Sequence, residues 1–208
     1  MPAIVHDDAA CIVVVKPAGL LSVPGRGEQG QDCLSAQVQA AFSDALVVHR
    51  LDMATSGLML SARGAAAQRV LSIAFAAREV HKRYVAIVDG LVEHDTGEIE
   101  LPLMADWPNR PKQKADREHG KPSLTRYRVR ARDAAARSTR VELEPVTGRA
   151  HQLRVHLLSL GHAILGDALY APPEVQARAD RLLLHASALR FAHPTSGDAM
   201  AFESLAPF

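Results

Sequence analysis

A chain of 208 residues that is 48% hydrophobic is long enough to bury a sizeable core in one domain or at most two, and its formal net charge of +1 excludes coating of nucleic acid by an overall positive field. Any RNA contact must therefore come from a local basic patch. Cys11 and Cys33 form neither a CxxC pair nor a disulfide framework, no apolar run approaches the roughly 20 residues that span a bilayer, and Asp7 and Asp8 stand where a secretory signal would be basic. The expectation is a cytoplasmic protein with free thiols and no membrane association.

In chain order, CIVVV (residues 11–15) reads as a β-branched strand ended by Lys16-Pro17. Gly25, Gly27 and Gly30 then spell GxGxxG, but Pro17 and Pro24 intervene after the strand and the next helix begins near Asp32, so a surface loop is expected rather than a dinucleotide-binding turn. In LVVHRLDMATSGLMLSA (46–62), two apolar runs flank His49, Arg50, Asp52, Thr55, Ser56 and Gly57. This is strand, loop, strand, and polar groups gathered between buried strands suggest a site on a rigid scaffold. The plainer alternative is that Asp52 and Arg50 merely tie a tight turn.

Residues 64–79 place Ala67, Val70, Leu71, Ala74 and Phe75 at helical spacing, an amphipathic helix to lie on a sheet. KRYVAIVDG (82–90) alternates as a strand, with Tyr84, Ala86 and Val88 on one face and Gly90 as its stop. Residues 106–117 gather Arg110, Lys112, Lys114 and Arg117 around two prolines and Trp107. A charged solvated loop is one reading, and RNA phosphate and base-stacking contacts are the other.

Arg126, Arg128, Arg130 and Arg132 alternate along the next strand and resemble an RNA-binding stripe. Pairing Val129 with Val141, however, sets Arg128 opposite Glu142 and Arg126 opposite Glu144, so cross-strand ion pairs account for most of it. Thr147 to Arg149 opens a helix expected to run to Leu160 with Gly161 at its end, with His151, Arg154 and Leu158 on one face. His151 and His156 are five apart, the wrong spacing for paired ligands, and no metal site is expected. Regular strand-helix-strand alternation is missing, so the fold class is α/β of the α+β type, with a mainly antiparallel sheet and a few helices.

HRLD followed by TSG closely resembles the signature of the RluA family of pseudouridine synthases. VVVKPAGLLSVPG (13–25), KRYVA (82–86), PVTGRAHQLRVHLLSLGHAILGDALY (145–170) and RLLLHASALRF (181–191) resemble further landmarks of that family in the same order. The segment LPLMADWPNRPKQK (101–114) narrows the likeness to members that modify both 23S rRNA and tRNA.

The resemblance implies one catalytic domain over residues 1–208, with a bent, mixed sheet flanked by helices. It implies uridine isomerisation in RNA without cofactor or metal, with Asp52 as the catalytic residue. By the same resemblance Arg154 pairs with Asp52 and keeps it ionised and the Tyr84 ring packs on the uracil, while Arg50 is expected to help hold the nucleotide out because base flipping is costly without protein contacts. Leu184 and His185 would line the cleft.

The chain begins almost at its first core strand, so no separate N-terminal RNA-binding domain is expected. RNA contacts would then fall to Arg50, Trp107, Arg110, Lys112 and Lys114. The expected partners are stem-loops of 23S rRNA and tRNA, the anticodon arm included, met by a monomer. The competing class is a catalytically silent RNA-binding module, which would not need Asp52, Tyr84 and Arg154 together.

Overall fold

The computed structural model describes residues 2–25 and 31–208. The last two glycines of the GxGxxG string, Gly27 and Gly30, lie outside the described residues. In chain order the elements are β1 (Ala3–Asp7), β2 (Cys11–Lys16), α1 (Leu34–Ala41), β3 (Ala45–Val47), β4 (Ser56–Arg63), α2 (Gly64–Ala77) and β5 (His81–Asp89). There follow β6 (Thr96–Glu100), β7 (Leu103–Ala105), β8 (Gln113–Ala115), β9 (Leu124–Asp133), β10 (Ser138–Pro145), α3 (Gln152–Ser159), α4 (Pro173–Gln176), β11 (Leu184–Ala192) and β12 (Ala199–Glu203). The chain folds into two compact units, residues 1–82 with 185–207, and residues 83–184 with Phe208.

In the first unit the strand order is β1-β2-β4-β11, with β12 on β11 and β3 on β4. β4 reads SGLMLSAR and is buried along nearly its whole length, since both of its edges are paired and α2 lies against it. Cys11, Val13, Leu58, Leu60, Ala67, Leu71, Leu189 and Phe191 form one core cluster. Ala67 and Leu71 supply the buried stripe of α2 as the spacing predicts, but Val70 is exposed, so the stripe is narrower than the sequence suggests. The helix ends at Arg78 in the left-handed region, with its amide bonded back to Ala74 and Phe75.

β4 and β11 run parallel, with Gly57 beside Ala186. Gly57 has φ +116°, and a Cβ there would collide with the Ala186 backbone. Backbone strain and overpacking each cost about 1–3 kcal/mol, so Gly57→Ala should destabilise the protein by about 3 kcal/mol or more, read as a lower urea midpoint. A loss under about 1 kcal/mol would show that the strand pair can separate at little cost.

In the second unit the order is β5-β10-β9-β6, all antiparallel, beside a separate β7-β8 hairpin. The predicted register holds: Val129 faces Val141, Arg128 faces Glu142 and Arg126 faces Glu144. The ion pairs are nevertheless different. A register shift between Arg140 and Val141 leaves Arg130 to bond Glu142 at 2.8 Å, while Arg126 turns to Glu98 on β6 at 2.8 Å and Arg132 to Asp95 at 2.7 Å. Three of the four arginines are thus ion-paired, but two of them through acids on the β6 side that a two-strand argument does not include.

Candidate active site

The HRLD stretch leaves β3, forms a loop and re-enters the sheet as β4. Its backbone is held from several sides. Lys16 is fully buried, and its ammonium donates to the carbonyls of Pro17, Leu20 and Met53 at 2.7–2.9 Å. Desolvating an ammonium is costly, and these three acceptors offset that cost while tying the Lys-Pro segment to the loop. Ser22 Oγ donates to the Leu51 carbonyl at 2.7 Å and accepts from the Leu51 amide at 3.0 Å. The Gly19 amide reaches the Met53 carbonyl, and the Thr55 amide closes a turn on the Asp52 carbonyl.

Within this frame Asp52 is half-buried and Arg50 is exposed. His49 points the other way: its Nε2 accepts the Leu60 amide at 2.9 Å and its ring stacks on Phe75, centroids 4.6 Å apart. Burial, and then the nearby Lys82 ammonium, push its pKa down to about 3, so His49 is a neutral structural acceptor. Ser56, at the head of β4, bonds His185 Nδ1 at 2.8 Å, and His185 Nε2 meets Ser204 at 3.1 Å. His185 is therefore buried within a hydroxyl pair in the first unit.

The second unit carries Tyr84, half-buried on β5 opposite Leu143, and the buried Leu184. It also carries Arg154, which is 4% exposed and forked onto Asp167: Nε donates to Oδ2 at 2.8 Å and Nη2 to Oδ1 at 2.5 Å. Asp167 is itself 1% exposed, and its Oδ1 also accepts the amides of Leu169 and Tyr170. The Tyr170 ring lies 4.9 Å from the guanidinium carbon. Asp167 and Tyr170 were not anticipated in these roles. The available signal was an arginine in the helix QLRVHLLS, since a buried guanidinium demands a carboxylate.

The helix itself differs from expectation. α3 starts at Gln152 rather than at Thr147, and His151 precedes it with φ +53°. Gln152 is the reason: its Oε1 accepts from Thr147 Oγ1 and the Arg149 amide, while its Nε2 donates to the Leu124 carbonyl and Thr125 Oγ1. Those bonds hold 147–149 as a turn. Leu158 is partly exposed where Arg154 is buried, so the two do not share one environment. Gly161 does close the helix, at φ +83°.

Residues 103–115 form a β-hairpin, not an irregular loop, with a short 3-10 turn at Trp107–Asn109. The Arg110 guanidinium carbon sits 3.4 Å from the centre of the Trp107 ring, which is 64% exposed. Lys114 is exposed and 3.7 Å from Asp116, and Lys112 is half-buried. An exposed tryptophan-arginine stack beside two lysines offers a flat face for a base and cations for phosphates.

His6, Asp8 and Cys11 place possible ligand atoms within 4.8 Å of one another, a grouping that the sequence reading did not foresee. Asp8 Oδ1 is occupied by the amides of Ala10 and Cys11, and its Oδ2 meets His6 at 2.7 Å and His193 at 3.2 Å. Burial, and then the Asp8 charge, push the Cys11 thiol up to about 12, so it stays protonated. The group is a clasp on the β1-β2 turn. Cys33 is also a buried free thiol, and no helix among the described residues is long and apolar enough to cross a membrane.

Comparison with known proteins adds four findings. Residues 10–159 match the family described as RNA pseudouridylate synthase. The chain is 51% identical, over 99% of its length and 99% of the relative's, to a dual-specificity RNA pseudouridine synthase RluA of Yersinia pestis. Identity is also 51%, over 99% of this chain and 93% of the relative, to the protein of that name in Escherichia coli K12. Among solved structures, human RNA pseudouridylate synthase domain containing 1 is similar with a TM-score of 0.83 at 29% identity, covering 100% of this chain and 84% of that one.

Proposed function

The chain belongs to the RNA pseudouridylate synthase family, and on that premise we propose that it isomerises uridines in stem-loops of both 23S rRNA and tRNA, with Asp52 as its catalytic carboxylate. The chemistry of the family breaks the bond from ribose C1′ to uracil N1, turns the base and joins C1′ to C5. Atoms and electrons balance within the nucleotide, so the reaction calls for no electron donor or acceptor. It does call for an anion at the reacting centre, groups that retain the freed base, and contacts that offset the few kcal/mol of base flipping.

Asp52 supplies the anion in this reading. Arg154 and Tyr84 support the ion and the base, Arg50 holds the extruded nucleotide, and Leu184 contributes apolar lining. The observation that carries the reading is the HRLD loop itself, a half-buried carboxylate on a backbone anchored by Lys16, Gly19 and Ser22. Such anchoring is what a precisely aimed group needs.

Substrate choice is assigned to the β7-β8 hairpin, with Trp107 and Arg110 stacking on an unpaired base and Lys112 and Lys114 meeting phosphates. The dual specificity in the relatives' names supports a reading with more than one RNA target. The protein is taken to act as a monomer in the cytoplasm.

The decisive measurement maps pseudouridine in 23S rRNA and tRNA from cells with and without the protein, alongside an assay on an isolated anticodon arm. Loss of sites in both RNAs and turnover of the arm are expected. If one RNA class were unchanged, dual specificity would fall, and if only intact ribosomal particles were modified, the stem-loop idea would fail.

A further inference from the structure

Tyr170 makes contacts that link otherwise separate parts of the second unit. Its hydroxyl accepts the backbone amide of Gln113, the first residue of β8, at 2.8 Å. The same hydroxyl lies 2.6 Å from His151 Nδ1, just before α3. Its ring faces the Arg154 guanidinium at 4.9 Å, and its own amide is bonded to Asp167, the acid that grips Arg154.

The Gln113 amide can only donate, so the phenol oxygen accepts there. With the phenol's own proton given to His151 Nδ1, the imidazole proton resides on Nε2, the tautomer that the coupling requires. His151 stands at φ +53°, a conformation that a residue other than glycine adopts only when its surroundings hold it there.

We propose that Tyr170 is a positioning residue that couples the β7-β8 hairpin to His151 and Arg154, so that binding of RNA on the hairpin is transmitted to the N-terminal end of α3. The coupling rests on the reading above that the hairpin contacts RNA and that Arg154 serves the reaction. Binding energy gained at the hairpin is then used to align groups at the reacting centre, and its loss appears in kcat rather than in KM.

Tyr170→Phe tests the hydroxyl alone, because the ring beneath Arg154 is kept. With an anticodon-arm RNA, kcat should fall about tenfold, the scale of one well-placed hydrogen bond, with KM changed by less than about threefold. Nitrogen NMR of His151 supplies a readout that a merely structural role would not move. The wild type should show one tautomer with its proton on Nε2, and Y170F should show a mixture.

The second arm combines Y170F with neutralisation of Arg110, Lys112 and Lys114. If the hairpin acts through Tyr170, Y170F costs little once the hairpin has lost its cations, giving a non-additive cycle. Multiplying effects, or an unchanged His151 tautomer in Y170F, would overturn the coupling while leaving the hairpin as an RNA contact. Neutralised hairpin variants that bind and modify RNA like the wild type would instead remove the hairpin reading, and the coupling with it.

Discussion

Replacing Asp52 by asparagine should lower the rate of pseudouridine formation by at least about 10⁴-fold, the scale seen when a residue at the centre of covalent chemistry is removed. The substitution keeps shape and hydrogen-bonding capacity and removes only the negative charge that the reaction centre requires. The loop's backbone is anchored by Lys16, Gly19 and Ser22, and the substitution leaves those three in place, so the fold should persist. RNA affinity should also persist, because the proposed phosphate and stacking contacts lie on the β7-β8 hairpin. Tritium release from uridine labelled at C5 measures turnover, and a filter-binding titration measures affinity. Appreciable turnover by D52N or D52A would falsify the assignment, and loss of affinity equal to the loss of rate would make Asp52 a binding residue instead.

Asp167→Ala is expected to be the most destabilising single change at the buried ion pair, costing about 3–5 kcal/mol, because it leaves a guanidinium buried without its fork of acceptors. Arg154 and Asp167 are both nearly inaccessible, and Asp167 also holds the amides of Leu169 and Tyr170. The effect should therefore exceed that of an exposed pair such as Arg126 with Glu98, whose attraction solvent screens. Urea unfolding of D167A, R126A and the double variant R154M/D167L separates the cases. The double variant should recover part of the loss, since no unpaired charge remains. A cost below about 1 kcal/mol for D167A, or a double variant worse than both singles combined, would refute the account.

Much of the fold was legible in the chain because its signals are local. The β-branched run before Lys16-Pro17, the alternation in KRYVAIVDG, the helical spacing of Ala67 and Leu71, and Gly161 after α3 each act within a few residues, and each corresponds to its element in the structure. The β9-β10 register was readable for the same reason, as one short turn and one hydrophobic face leave a single in-phase pairing. HRLD and TSG, with their companion blocks, made the family recognisable.

What remained belongs to tertiary structure, because the deciding partner lies far along the chain. Arg126 takes Glu98 because β6 packs against β9, Arg154 takes Asp167 because the loop after α3 folds back, and α3 starts late because Gln152 finds Leu124 and Thr125. Lys16 shows the principle most simply. In sequence it is a charge at the end of a strand, but three carbonyl oxygens from Pro17, Leu20 and Met53 make its burial tolerable, and only the folded chain brings Met53 to it.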